Sequence, residues 1–188
     1  MVDAPAQAGG RLEDTDLARA RALAGAVPDP EIPVVTLQDL GILRDVGVEA
    51  GRLVVSLTPT YTGCPATELI ADEVRRALRE AGLDADVRLV LAPPWTTDWI
   101  SDDGRRKLRE YGIAPPGCGA TGAAVVRFAP RSRDATRAAA PSTQVETIAC
   151  PRCGSAQVER LSEYGSTPCK ALYRCVACRE PFDYFKPY

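Results

Sequence analysis

The spacing of apolar positions changes period several times along the chain, and each change marks an element. Over Pro65–Ala81, Ala66, Leu69, Ile70, Val74, Ala77, Leu78 and Ala81 recur every three or four residues, with Gly82 after them. That is the period of one helical face with a permissive stop. Before it, Leu53, Val55 and Leu57 occupy every second position, as a half-buried strand requires. The pattern predicts strands over Ile42–Val48 and Arg52–Thr58 joined by a turn at Glu49-Ala50-Gly51, and a third strand over Asp86–Leu91 that ends at Pro93-Pro94. A helix from about Asp98 to Tyr111 places Ile100, Leu108 and Tyr111 on one face. A shorter one, Asp16–Leu23, opens the series and Gly25 ends it. Between this helix and the first strand, Pro28, Pro30 and Pro33 exclude regular structure and force an extended turn. The predicted order is α-β-β-α-β-α over roughly 100 residues, enough for one small core.

The pattern then breaks down. From Pro115 to Thr143 glycines, arginines and alanines dominate, apart from a short apolar run at Ala123–Phe128 that is a candidate extra strand. The expected organisation is a disordered tail over 1–14, an α/β domain over 15–116, a linker over 117–145 and a small cysteine-rich module over 146–188. The fold class is therefore α+β, with a C-terminal four-cysteine module resembling a zinc ribbon.

Composition narrows the chemistry more than the fold. The 188 residues carry a formal charge of −2 and no histidine. The missing imidazole removes Ser-His-Asp and Cys-His hydrolysis, along with metal sites built on two histidines and a carboxylate. The near-neutral charge argues against a nucleic-acid partner. No apolar run approaches the ~18 residues of a membrane span, and the N-terminal stretch lacks the apolar core of a signal peptide. A cytoplasmic location without a membrane partner is the expectation.

The seven cysteines fall at 64, 118, 150, 153, 169, 175 and 178. Cys150-Pro-Arg-Cys153-Gly154 and Cys175-Val-Ala-Cys178 are two Cys-x-x-Cys knuckles. Two residues between thiolates let both sulfurs of one turn face an ion ~2.3 Å away, and two such turns complete a tetrahedron. Four soft anionic ligands suit zinc or iron. A structural zinc on Cys150, Cys153, Cys175 and Cys178 is the first expectation; two disulfides and a rubredoxin-like iron are the alternatives. Cys169 lies between the knuckles and reads on composition as a small buried apolar residue. Tyr173, Phe182, Tyr184, Phe185 and Tyr188 read as the module's core and docking face.

Cys64 stands apart, in Thr58-Pro59-Thr60-Tyr61-Thr62-Gly63-Cys64-Pro65, between a strand and the clearest helix. Proline favours the first helical position, which makes Cys64 the expected N-cap. There the helix dipole would lower its pKa. The sulfur is then a candidate nucleophile, redox group or metal ligand, against the alternative of a packed, inert thiol. The loop Pro93-Pro94-Trp95-Thr96-Thr97-Asp98-Trp99 either lines a site near Cys64 or caps the core.

Several of these runs carry a resemblance. Asp29-Pro30-Glu31-Ile32-Pro33, Asp39-Leu40-Gly41-Ile42 and Thr58–Pro65 resemble the small α/β domain of iron–sulfur cluster assembly factors, the family of SufT and the cytosolic targeting-complex proteins. The tryptophan-containing loop, the exit at Tyr111–Pro116, and Gly165–Cys175 followed by Glu180–Lys186 are similar to the D-subunit family of the phenylacetyl-CoA epoxidase system, PaaD. The resemblance implies an accessory role in aerobic phenylacetate degradation, with no catalysis of its own. It implies that Cys64 contacts iron or a cluster transiently, with Asp39 and Thr60 as neighbours, and that Cys169 is more than filler. The implied partners are the oxygenase or reductase subunits of that system, and a homodimer is compatible with the reading. A non-catalytic scaffold of the same complex is the alternative.

Overall fold

The computed structural model describes residues 13–61, 63–117 and 148–187. The residues after position 117 through 147, which include the run Ala123–Phe128 and nearly all of the expected linker, lie outside the described residues, as do Tyr188 and most of the N-terminal tail. The chain forms two compact units. One comprises the described residues up to Trp95 together with Trp99–Lys107, and the other comprises Thr96–Asp98 and the described residues from Leu108 onward.

The first unit contains helix α1 (Asp14–Ala26), strands β1 (Leu43–Glu49) and β2 (Arg52–Leu57), helix α2 (Thr67–Glu80) and strand β3 (Ala85–Leu89). The sheet order is β1-β2-β3. β1 and β2 pair antiparallel through Ala50 and Gly51, both with positive φ (49° and 79°), the conformation a two-residue hairpin turn needs. β2 and β3 pair in parallel, so the chain must cross over, and α2 is that crossover. Its Ile70, Ala71, Val74 and Leu78 are buried, and so are Leu53, Val55, Leu57 and Val87 of the sheet. α1 buries only Ala20, Ala24 and Gly25, which explains why apolar periodicity marked it so faintly. Gly25 does not end this helix. A Cβ there would meet Gln38 Oε1 at 2.6 Å, so the glycine serves a close approach, and the helix ends one residue later, before Val27-Pro28.

The expected helix from Asp98 is two pieces. A single 3-10 turn spans Thr97–Trp99, and helix α3 (Asp102–Tyr111) follows. Ser101 intervenes, its Oγ accepting the N–H of Gly104 at 2.9 Å, as an N-cap does. Ile100 and Leu108 are buried as the pattern predicts, whereas Tyr111 is 55% exposed.

The second unit holds a four-stranded sheet in the order β4-β7-β6-β5, from β4 (Ile113–Ala114), β5 (Val158–Ser162), β6 (Lys170–Cys175) and β7 (Pro181–Phe185). β5, β6 and β7 form an antiparallel meander, and β4 pairs with β7 in parallel. Residues 113–114, grouped by sequence with the first domain, thus belong to the ribbon's sheet. Two residues ahead of a Pro-Pro pair are too few to show a period. Ala114, Ala171, Phe182 and Tyr184 pack with Cys150 and Cys175 in one core, with Tyr173 against it. Tyr173 stacks on Phe182 (6.0 Å between ring centres) and meets Tyr184 edge-on (5.6 Å).

Candidate functional site

The two knuckles fold alike. The N–H of Gly154 donates to the Cys150 carbonyl at 2.9 Å, and the N–H of Arg179 to that of Cys175 at 2.9 Å. Both turn residues have positive φ, 74° and 64°. The four sulfurs of Cys150, Cys153, Cys175 and Cys178 lie within 4.8 Å of one another. Cys150 Sγ to Cys178 Sγ is 3.7 Å, and Cys153 Sγ to Cys175 Sγ is 3.6 Å. A tetrahedral ion with ~2.3 Å bonds to sulfur has edges of ~3.8 Å, whereas a disulfide requires ~2.05 Å. The donor set and its spacing therefore fit a four-thiolate metal site and leave no bridged pair.

Their electrostatics agree. The Cys178 N–H donates to Cys175 Sγ at 3.5 Å; that bond, with support from neighbouring thiols, lowers the Cys175 thiol to about 7. The Glu180 N–H favours a Cys178 thiolate, yet burial and the sulfurs of Cys175, Cys153 and Cys150 push that thiol up to about 12. Four thiolates this close can ionise together only around a cation. Cys169 is outside this cluster. It is buried, its sulfur lies 3.0 Å from Thr167 Oγ1, and its carbonyl accepts the Lys186 N–H at 2.9 Å.

Cys64 lies in the first unit on a pocket enclosing about 300 Å³, part of it open to solvent, with Asp29, Thr60, Thr67, Ile42, Leu57, Pro59, Ile70 and Leu89 as its other walls. The thiol is half-buried. It is not the helix N-cap. α2 begins at Thr67 with Ala66 as its cap, and Cys64 belongs to the preceding turn. The N–H and hydroxyl of Thr67 both donate to the Cys64 carbonyl (3.3 and 2.7 Å). The expected lowering of the thiol pKa is reversed as well. Burial pushes it up, with help from the charges of Glu31 and Asp29, against the Ala66 N–H and the Thr67 hydroxyl, which favour the thiolate.

Of the two expected neighbours, Thr60 lines the pocket and Asp39 does not. Asp39 Oδ2 accepts the Thr36 N–H (2.9 Å) and Lys107 Nζ (2.8 Å), and the Asp39 N–H donates back to Thr36 Oγ1 at 3.2 Å. Its carboxylate therefore ties α3 to the turn before β1. The carboxylate on the pocket wall is Asp29, whose Oδ1 accepts the N–H groups of Glu31 (2.9 Å) and Ile32 (2.8 Å). An aspartate that starts a proline-rich turn is the sequence signal for that placement. The tryptophans cap the core. Trp95 Nε1 donates to the Leu40 carbonyl at 2.8 Å, and Trp99 packs where Gly41 has no side chain, with the Arg44 guanidinium 3.3 Å over its ring.

Comparison with known proteins follows this division. Residues 19–90 match a family model described as iron-sulfur cluster assembly protein, and residues 134–186 match one described as PaaD zinc beta ribbon domain. Over 166 residues, 88% of this chain and 89% of the relative, the sequence is 46% identical to an Escherichia coli K12 protein described as the D subunit of 1,2-phenylacetyl-CoA epoxidase. The chain belongs to the PaaD family. PaaD-family membership joins the two expected resemblances in one polypeptide. Two further relatives are similar over 40% of the chain. The Fe-S protein maturation auxiliary factor YitW of Bacillus subtilis 168 is 40% identical with 76% of its length covered. The auxiliary factor SufT of Staphylococcus aureus USA300 is 37% identical with 88% covered. No helix among the described residues is long and apolar enough to cross a membrane.

Proposed function

We propose that this PaaD-family chain is an accessory maturation factor for a multicomponent phenylacetyl-CoA epoxidase, assisting iron–sulfur cluster or iron-centre assembly in aerobic phenylacetate catabolism. The observation that carries the reading is the union, in one chain, of an assembly-type domain bearing an accessible thiol pocket with a four-thiolate ribbon. Iron or a cluster is the cargo, met at Cys64 with Thr60 and Asp29 on the same wall. Burial and the nearby acids favour the neutral thiol, so a cation bound there displaces a proton.

The ribbon's four cysteines hold a structural zinc in this reading. All four thiolates are needed to complete the tetrahedron, so none is left over for catalysis. The ion contributes the folding energy that so small a core lacks, on the order of 10–16 kcal/mol for zinc-finger peptides. The ribbon then docks the oxygenase or reductase client in the cytoplasm. Its exposed Leu161, Tyr164 and Val176 equally favour a second reading, a scaffold without iron chemistry.

The test is metal content and sulfide of protein purified without oxygen, wild type beside Cys64→Ser, together with epoxidase activity in cells carrying each. Zinc in both, iron only in the wild type, and lost epoxidase activity in Cys64→Ser are the expected results. Full activity with Cys64→Ser rejects the role of that thiol. Stable co-purification with the client that ignores the substitution selects the scaffold.

A further inference from the structure

The outer edge of β3 has no partner among the described strands. Which backbone groups it offers follows from one bond: the Val90 N–H donates to the Leu57 carbonyl at 2.8 Å. Backbone groups alternate sides along a strand, so those of Asp86 and Arg88 turn to β2, and those of Ala85, Val87 and Leu89 face outward. Arg75 of α2 agrees, its Nη2 donating to the Val87 carbonyl at 3.3 Å. That contact also places one row of α2 beside the edge. Residues at helical spacing from Arg75 on that row are Glu68, Asp72 and Arg79.

From its N-terminal end, the row runs acid, acid, base, base. Asp72 and Arg75 pair with each other at 2.6 Å. Glu68 and Arg79 are exposed and have no ion-pair partner among the described residues. An antiparallel copy of this row is its electrostatic complement, setting Glu68 against the partner's Arg79. The strand has the same property. A two-fold axis through Val87 lets it exchange both backbone hydrogen bonds with the partner's Val87 and sets Asp86 opposite the partner's Arg88. It also covers Leu89, which is 49% exposed, with the partner's Ala85. Hydrogen-bond parity and both charge patterns are thus each self-complementary under a two-fold, as an isologous interface demands.

We propose that the chain forms a homodimer by antiparallel pairing of β3 with β3 of a second copy, with the two α2 charge rows facing each other. The proposal does not rest on the iron reading, although Leu89 is shared with the wall of the Cys64 pocket. It is tested on the full chain by sedimentation velocity over a concentration series. The wild type is compared with an acidic-row variant (Arg75→Glu with Arg79→Glu) and a basic-row variant (Glu68→Lys with Asp72→Lys). The wild type should dimerise, each variant alone should dissociate at concentrations at least about tenfold higher, and an equimolar mixture should recover the dimer as a heterodimer. Circular dichroism checks that the variants fold. If a double variant does not, Arg79→Glu and Glu68→Lys, each at an exposed position, test the same pair. A wild type that stays monomeric, or variants that self-associate like the wild type, would overturn the proposal, the latter by moving the contact to another surface.

Discussion

Replacing Asp39 by asparagine separates two roles: neighbour of the reactive thiol, as family resemblance implies, or tie between α3 and the turn before β1, as its contacts show. Asparagine keeps the shape but removes the charge. The variant then has one carbonyl oxygen for the Thr36 N–H and Lys107 Nζ, which now lie 2.9 and 2.8 Å from one carboxylate oxygen. Hydrogen bonds to a charged group are worth about 1.5–3 kcal/mol. The Lys107 side chain is 30% exposed, so solvent screens part of the pair, and a loss of about 1–2 kcal/mol is expected. At about 2–4 °C per kcal/mol for a chain of this size, the midpoint should fall by about 2–8 °C.

The effect carries a pH signature. Burial acts to raise the Asp39 carboxyl, but the hydrogen bonds from Lys107 and Thr36 prevail and hold it below its ordinary value. A carboxyl depressed in the folded state adds stability in full above its unfolded pKa, ~3.9. That contribution is lost as pH falls through the lower, folded value. The gap between wild type and Asp39→Asn should stay constant from neutral pH down to about 5 and narrow below about 4. Thermal unfolding by circular dichroism across that range measures it, and alkylation of Cys64 should proceed at the wild-type rate. An unchanged midpoint with an altered alkylation rate would refute the structural role and return Asp39 to the thiol.

Thr58 is 2% exposed, and its Oγ1 has no hydrogen-bond partner among the described residues. Thr58→Val should therefore stabilise the protein by about 1–2 kcal/mol in urea unfolding, and a loss instead would show that the hydroxyl is satisfied. Arg179 occupies at φ 64° the turn position that Gly154 holds at 74°. Arg179→Gly relieves about 1 kcal/mol of strain and should slow the loss of metal to a chelator; faster loss would count against the shared turn geometry. Stripping the metal should expose Cys150, Cys153, Cys175 and Cys178 to thiol reagents and release the packing of Tyr173 on Phe182, while helical dichroism from α1 and α2 persists. Thiols that stay unreactive after chelation would argue for disulfides.

What the chain announces by itself is whatever depends on near neighbours in sequence. The α2 face, the β1–β2 hairpin and the two knuckles each follow from spacing within a few residues, because helical period, turn conformation and bite distance are local properties. The same spacing picked out the four cysteines whose sulfurs the fold brings within 4.8 Å of one another. Tertiary structure decided the rest. Nothing adjacent to Asp39 foretells that Lys107, 68 residues on, takes its carboxylate. Nothing near Asp29 shows that it shares a wall with Cys64. Gly25 looks like a helix stop until Gln38 fills the space beside it, and Ile113-Ala114 is too short to read as a strand until β7 offers its edge. The thiol's pKa reversed for the same reason. A helix N-terminus is written in a few adjacent residues, but burial and the charges that oppose ionisation come from segments the fold alone brings together.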